Sequence, residues 1–301
     1  VRGKTARGII RRKIEEWISS IDDLGVRQTA EKNTIVTGGC IASMLLNERV
    51  NDFDLYFRTH KAAMDVAAYY IKKFNDGLPE STQLVKLEDL EGRIRIKVRS
   101  AGIATEEGDA GYQYFETIPD PDAADASEYV DAALKVIEEG EDDEEKPKYR
   151  PIFLSSNAIT LSQHVQLVVR FYGEPDKIHE NYDFAHCMNY WTSWDDELVL
   201  RQPALESLLA RDLHYVGSKY PLCSIIRTRK FIKRGWTISA GQYLKMAMQL
   251  NELDLSDVSV LEEQLVGVDV AYFTEIIEKL KGRGMEKVDS TYLLEVIDRI
   301  F

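Results

Sequence analysis

Cysteine is scarce in this chain: three residues in 301, Cys40, Cys187 and Cys223. None stands in a CxxC pair or at Cys/His ligand spacing, which excludes a disulfide framework and a structural zinc site and leaves buried free thiols. Long apolar runs are lacking too. No segment approaches the roughly 18 to 20 unbroken apolar residues that span a bilayer. The basic stretch Val1 to Arg12 has no apolar core of the signal-peptide kind, so a soluble, cytoplasmic protein without a membrane partner is expected. Internal repeats are absent, which excludes a solenoid or propeller. Positive charge is in deficit, with a formal net charge of -13. A uniformly acidic surface would repel phosphate, so nonspecific wrapping of nucleic acid is excluded.

The charge is not uniform, however. Residues 104 to 145, within an insertion at about 103 to 148, form an acidic block ending in "EEGEDDEE", whereas "RTRKFIKR" at 227 to 234 is basic. An acidic protein can still own a basic site. The acidic block reads as a solvated surface insertion with one short helix at 127 to 139; an acidic arm that docks a protein partner is the alternative.

Periodicity orders the rest. Ile9, Ile10, Ile14, Trp17, Ile18 and Ile21 recur at three- and four-residue spacing, an amphipathic helix over 8 to 22. "TIVTGG" predicts a strand ending in glycine, "CIASMLLNE" a helix, "DFDLYF" a strand, and 61 to 74 a second amphipathic helix. Strand signals follow at "QLVKL" and "RIRIKVRS", then beyond the insertion at "PIFLSS", "AITLS" and "HVQLVVRFYG". After residue 203 the pattern is helical, at 204 to 216, 221 to 234, 239 to 250, 258 to 265, 269 to 281 and 290 to 300. An α+β domain over 1 to 203, carrying the insertion, is expected to precede a helical domain over 204 to 301.

The chemistry concentrates between residues 35 and 59. Carboxylates at i and i+2 of a strand project from one face, so Asp52 and Asp54 can share a divalent cation while Phe53 points into the opposite layer. Such hard oxygen donors suit Mg²⁺ or Mn²⁺, completed by water and substrate phosphate. A metal pair there would activate a hydroxyl and stabilise leaving pyrophosphate. Gly38 and Gly39 let backbone N–H groups approach a phosphate at the N-terminus of the following helix, where the helix dipole favours anions.

Strand, GG, helix and apolar-Asp-apolar-Asp-apolar, in that order, resemble the nucleotidyltransferase superfamily that includes DNA polymerase beta, poly(A) polymerases and tRNA CCA-adding enzymes. The resemblance extends through "ENYDFAHCMNYW", whose Asp183 and Phe184 match the Asp-Phe of an RRDFT-like segment. It continues through "LESLLARDLHYVG" to the neck-like "YPLCSIIRTRKFIKRGWTIS". It implies a polymerase beta-like head with a mixed sheet, followed by an all-helical neck and body. It further implies transfer of an NMP from a nucleoside triphosphate to a hydroxyl, such as the 3′ end of tRNA or another RNA. Asp52 and Asp54 would be the catalytic metal ligands. Gly38, Gly39, Ser43, Arg170, Asp183, Arg227 and Lys230 would be nucleotide-binding residues. Each also has a plainer role: a tight turn, an exposed helix serine, a surface ion pair, a turn-holding aspartate, a basic face balancing acidic surroundings.

The departures are specific. Ala42 and Ser43 replace the family's Arg-Asp after the glycines, and Asn181 and Tyr182 replace its paired arginines. The Glu-Asp-x-x-Arg segment that reads the incoming base has no counterpart at 218 to 223. CCA specificity is therefore not implied, and a protein or small molecule is also open as acceptor. An inactive, binding or structural descendant is the alternative from another class, and the intact Asp-x-Asp speaks against it.

Overall fold

The computed structural model describes residues 2–76, 85–98, 147–154, 157–264, 291 and 294. The helix expected at 127 to 139 in the acidic block and the one over 269 to 281 lie outside these residues, as does that over 290 to 300 apart from residues 291 and 294. The chain divides into two compact units, residues 1–103 with 146–214, and residues 104–145 with 215–301.

The first unit is α+β. It runs α1 (Gly3–Ser19), α2 (Leu24–Asn33), β1 (Thr34–Thr37), α3 (Gly39–Leu46), β2 (Phe53–Phe57) and α4 (His60–Asp76). A hairpin of β3 (Val85–Leu90) and β4 (Arg93–Val98) follows. After the insertion come β5 (Pro151–Leu154), β6 (Ala158–Leu161), β7 (Val165–Tyr172), α5 (Pro175–His179), a 3-10 turn (Ala185–Cys187), β8 (Tyr190–Thr192), β9 (Glu197–Val199) and α6 (Gln202–Ala210). Seven strands form one mixed sheet in the order β5-β6-β7-β2-β1-β8-β9. Within it β2 and β7 run parallel while the other neighbours are antiparallel.

The period of two along β2 explains how the sheet carries both a core and a site. Phe53, Leu55 and Phe57 enter the main core with Ile10, Ile14 and Trp17 of α1, Ile41 and Met44 of α3, and Val66 and Tyr70 of α4. Asp54 and Tyr56 occupy the other face, where Tyr56 joins Ile35 and Ile178 in a much smaller cluster. One face is thickly covered and the other only thinly.

Two stretches depart from the periodicity. Helix α2 was not anticipated, because "LGVRQTAEKN" has little apolar spacing and buries only Ala30. Its start is fixed locally: the Asp23 side chain accepts a hydrogen bond from the Val26 N–H at 2.9 Å, an N-cap. The β8–β9 hairpin was also missed, since three-residue strands are too short to show alternation. The helix expected over 204 to 216 stops earlier, where Arg211 turns left-handed at φ +49°.

The second unit, over its described residues, is helical: α7 (Pro221–Lys233), α8 (Ala240–Leu250) and α9 (Val258–Gln264). Thr228 of α7 packs against Met246 of α8, both buried. No helix among the described residues is long and apolar enough to cross a membrane.

Candidate functional site

The site begins where β1 ends. Thr37 is directly opposite Asp54 in the antiparallel β1–β2 register. The next residue, Gly38, takes φ +94° and ψ -152°, a conformation open essentially to glycine alone. Its N–H donates to the Cys187 carbonyl at 3.1 Å. A Cβ on Gly38 would lie 3.3 Å from Asp54 Oδ2 and 3.5 Å from the Tyr182 hydroxyl. The bare backbone is thus required by the carboxylate beside it. Gly39 differs, because a Cβ there would meet nothing within 4 Å. The start of α3 faces open space, and the first-turn N–H groups of a helix have no intrahelical acceptors.

Thr37 ties this turn to the segment after α5. Its hydroxyl donates to the Asn189 carbonyl at 2.9 Å and lies 2.8 Å from His179 Nε2. The Asn189 side-chain oxygen in turn accepts from the Arg201 N–H at 2.8 Å. Strand end, glycine turn and 3-10 turn are therefore one hydrogen-bonded unit.

Electrostatics single out the acids. Asp54 is half-buried beside Gly38 and Tyr182, and the exposed Gly39 marks the open side of this recess. Burial, and next the charge of Asp52, push its carboxyl up to about 7. Its neighbours are held neutral. Burial, followed by the Asp54 charge, raises the Cys40 thiol. Burial, Tyr56 and Asp54 keep the Tyr182 hydroxyl well above its usual value. Burial and the Arg201 charge bring His179 down to about 4. The recess thus concentrates negative charge on two carboxylates, the environment that a divalent cation relieves. No group of three His, Cys, Asp or Glu side chains that could hold a metal occurs among the described residues. An ion on Asp52 and Asp54 would take its remaining ligands from water and substrate oxygens, as Mg²⁺ characteristically does.

The other sequence candidates are placed as follows. Ser43 is buried in α3, a full turn beyond Gly39. Asp183 is buried just before the 3-10 turn and does not join Asp52 and Asp54 in a three-ligand group. Arg170 is buried at a β-bulge, where the Val169 and Arg170 N–H groups both reach the Asn157 carbonyl, at 2.9 and 3.3 Å. In the β2–β7 pairing it is Gln166 that stands level with Asp54. Arg170 lies beyond it, in the irregular stretch of β7 between the Leu55–Leu167 and Phe57–Tyr172 pairs. Arg227 and Lys230 lie on α7 in the second unit, the former half-buried and the latter exposed. Sequence reading missed Thr37, Gln166 and the Cys187 carbonyl. Thr37 carried the one available signal, its place immediately before the glycines; the others depend on non-local pairing.

A family model for Gabija anti-defense 2 family proteins matches residues 9–211, which is two thirds of the chain and nearly the whole of the first unit. The chain belongs to the Gabija anti-defense 2 family. A relative of that name from Bacillus phage SPbetaL7 is 21% identical over 132 residues, covering 44% of this chain and 32% of its own length. The chain thus spans about a third of that Gabija anti-defense 2 protein. Among solved structures, the chain is similar to the Thermotoga maritima CCA-adding enzyme complexed with tRNA (12% identity, TM-score 0.40, 84% of this chain and 49% of that one). It is also similar to the Bacillus stearothermophilus CCA-adding enzyme in complex with CTP (11% identity, TM-score 0.41, 86% and 49%). For this Gabija anti-defense 2 family member, the matched residues contain the whole recess: Gly38, Gly39, Asp52, Asp54, His179 and Tyr182.

Proposed function

We propose that this Gabija anti-defense 2 family protein is a metal-dependent nucleotidyltransferase that moves an NMP from a nucleoside triphosphate to a hydroxyl, the 3′ end of an RNA. The observation that carries the reading is the apposition of Gly38 with Asp54. A turn that bares its backbone and a carboxylate raised to about 7 share one recess, with a Gly38 Cβ position 3.3 Å from Asp54 Oδ2. Sites of phosphoryl chemistry need both parts, backbone donors for the phosphates and acids for a divalent cation. Asp52 and Asp54 would hold the ion. When bound, it supplies charge neutralisation at the phosphates.

The chain's own residues do the rest. Gly38 and Gly39 admit the triphosphate to the N-terminal N–H groups of α3. The Thr37 network with Asn189 and His179 fixes the turn. Cys40, Tyr182 and His179, all kept neutral, leave Asp52 and Asp54 as the acids of the recess. The acceptor oxygen bonds to the α-phosphorus, pyrophosphate departs, and the hydroxyl proton is released. Catalysis comes mainly from positioning and charge compensation. Ser43, Arg170, Asp183, Arg227 and Lys230 remain proposed nucleotide contacts. The transfer would serve the anti-defense role that the family name carries.

The test is incubation with each labelled NTP, Mg²⁺ or Mn²⁺ and total RNA, with Asp52→Ala/Asp54→Ala as control. Label in RNA that depends on both acids supports the reading. No labelled acceptor, or equal labelling by the double variant, refutes it. Retention of anti-defense activity by a double variant that cannot transfer would instead support an inactive protein that acts by binding.

A further inference from the structure

The β3–β4 hairpin forms a two-stranded sheet of its own. Its loop is Glu91-Gly92, at φ +52° and +88°, the two-residue turn in which both central residues are left-handed and which pins the register of the strands. Tyr172 Oη donates to the Gly92 carbonyl at 2.5 Å, and His60 lies 3.1 Å from Asp89. With the hairpin so fixed, "RIRIKV" alternates strictly. Ile94 and Ile96 are fully buried in the main core, and Arg93, Arg95 and Lys97 are exposed on the other side.

The cross-strand partners make that outer face unusual. Lys86 is directly opposite Lys97, and like charges in that position destabilise a sheet. Glu88 is opposite Arg95 and lies 3.5 Å from Lys97, the one ion pair of the face among the described residues. Arg93, Arg95 and Lys86 make no ion pair among the described residues. Four cations and one acid therefore share this outer face, with Leu90 opposite Arg93 and with Asp89 and Glu91 elsewhere on the hairpin, on a chain whose net charge is -13. Stability alone does not account for this arrangement, and an anionic ligand does.

We propose that the outer face of the β3–β4 hairpin binds the sugar–phosphate backbone of single-stranded RNA. Side chains on one face of a strand repeat every second residue, about 6.7 Å. That matches a run of single phosphates better than one clustered anion. The occupant is the acceptor of the transfer reaction, and in that respect the proposal rests on the function proposed above.

The test measures binding of a 5′-labelled single-stranded RNA to the full chain by fluorescence anisotropy at 50 and 200 mM KCl. Wild type is compared with Arg93→Gln/Arg95→Gln. Each phosphate contact on a single strand contributes about 0.7 to the salt slope, so the double variant's slope is shallower by about 1.4. Its loss of affinity across that salt range is then about sevenfold smaller than that of wild type. Glu88→Gln, which removes the one acid, tightens binding. Failure of wild type to bind the RNA, an unchanged slope, or equal and equally variant-sensitive binding of polyglutamate would overturn the proposal, the last by making the face a site for acidic protein. Stabilisation by ATP with Mn²⁺, measured on the same proteins, reports on the recess separately. If it is absent while the RNA slopes behave as expected, the transferase reading fails and the hairpin assignment stands.

Discussion

Asp54→Asn is expected to make the metal-free protein more stable at pH 8, although it removes a residue assigned to the reaction. The folded-state carboxyl titrates at about 7 against an ordinary 3.8. Roughly three pH units at 1.36 kcal/mol each amount to about 4 kcal/mol. The sign follows from proton counting. Between pH 4 and 7 the folded state holds a proton that the unfolded state has released, so stability falls as pH rises through this window and is level above it. His179 acts in the opposite direction: its value drops from 6.5 to about 4, so the fold excludes a proton and gains stability as pH rises between these values. That contribution is about 3 kcal/mol. In wild type the two slopes nearly cancel from pH 4 to 6.5. In Asp54→Asn, which keeps the shape and removes the charge, the His179 slope stands alone. Urea unfolding in EDTA across pH 4 to 8 measures this directly. The variant-minus-wild-type difference should be near zero at pH 4 and grow to about 4 kcal/mol by pH 8. A difference that is flat with pH, or a variant less stable at pH 8, would refute the account of a carboxylate held at a cost beside Asp52. Mg²⁺ should narrow the gap by stabilising wild type alone.

Other perturbations test separate parts of the structure. Gly38→Ala puts a methyl 3.3 Å from Asp54 Oδ2 in a left-handed conformation; it should cost about 1 to 2 kcal/mol in urea unfolding and abolish NTP-dependent labelling. Tyr70→Phe removes the acceptor of the buried 2.8 Å hydrogen bond from Trp17 Nε1; a loss of about 1 to 3 kcal/mol is expected, with labelling unchanged. Thr37→Val strips partners from the Asn189 carbonyl and His179 Nε2; it should destabilise by about 1 to 3 kcal/mol and lower the labelling rate of the protein that remains folded.

Much of the architecture could be read before any coordinates because the signals were local. The isoleucines of α1, the alternation of "DFDLYF" and the glycine pair each encode their own geometry within a few residues. Phe53 does enter the layer opposite Asp54, whereas Asp52 stands just before the first residue of β2. Helix α2 escaped because a single capping aspartate, not a stripe of apolar residues, defines its start. Strands β8 and β9 escaped because three residues contain barely one period. The recess was half legible. The meeting of Gly38 with Asp54 follows from a strand, a turn and a returning strand close in sequence, whereas Gln166 comes level with Asp54 only through a pairing across more than a hundred residues. The basic strand was present in the letters of "RIRIKV", but that Lys86 joins its outer face with Glu88 as the one acid there required the register with β3.

Gly38 also bears on how such a protein can change over generations. The volume of one absent methyl group is what separates the turn from the carboxylate, with Tyr182 bounding the same space. Lengthening Asp54 to glutamate would spend that volume just as surely as adding a side chain at 38. A side chain at 38 or a longer acid at 54 would therefore mark a branch in which the recess has been given up.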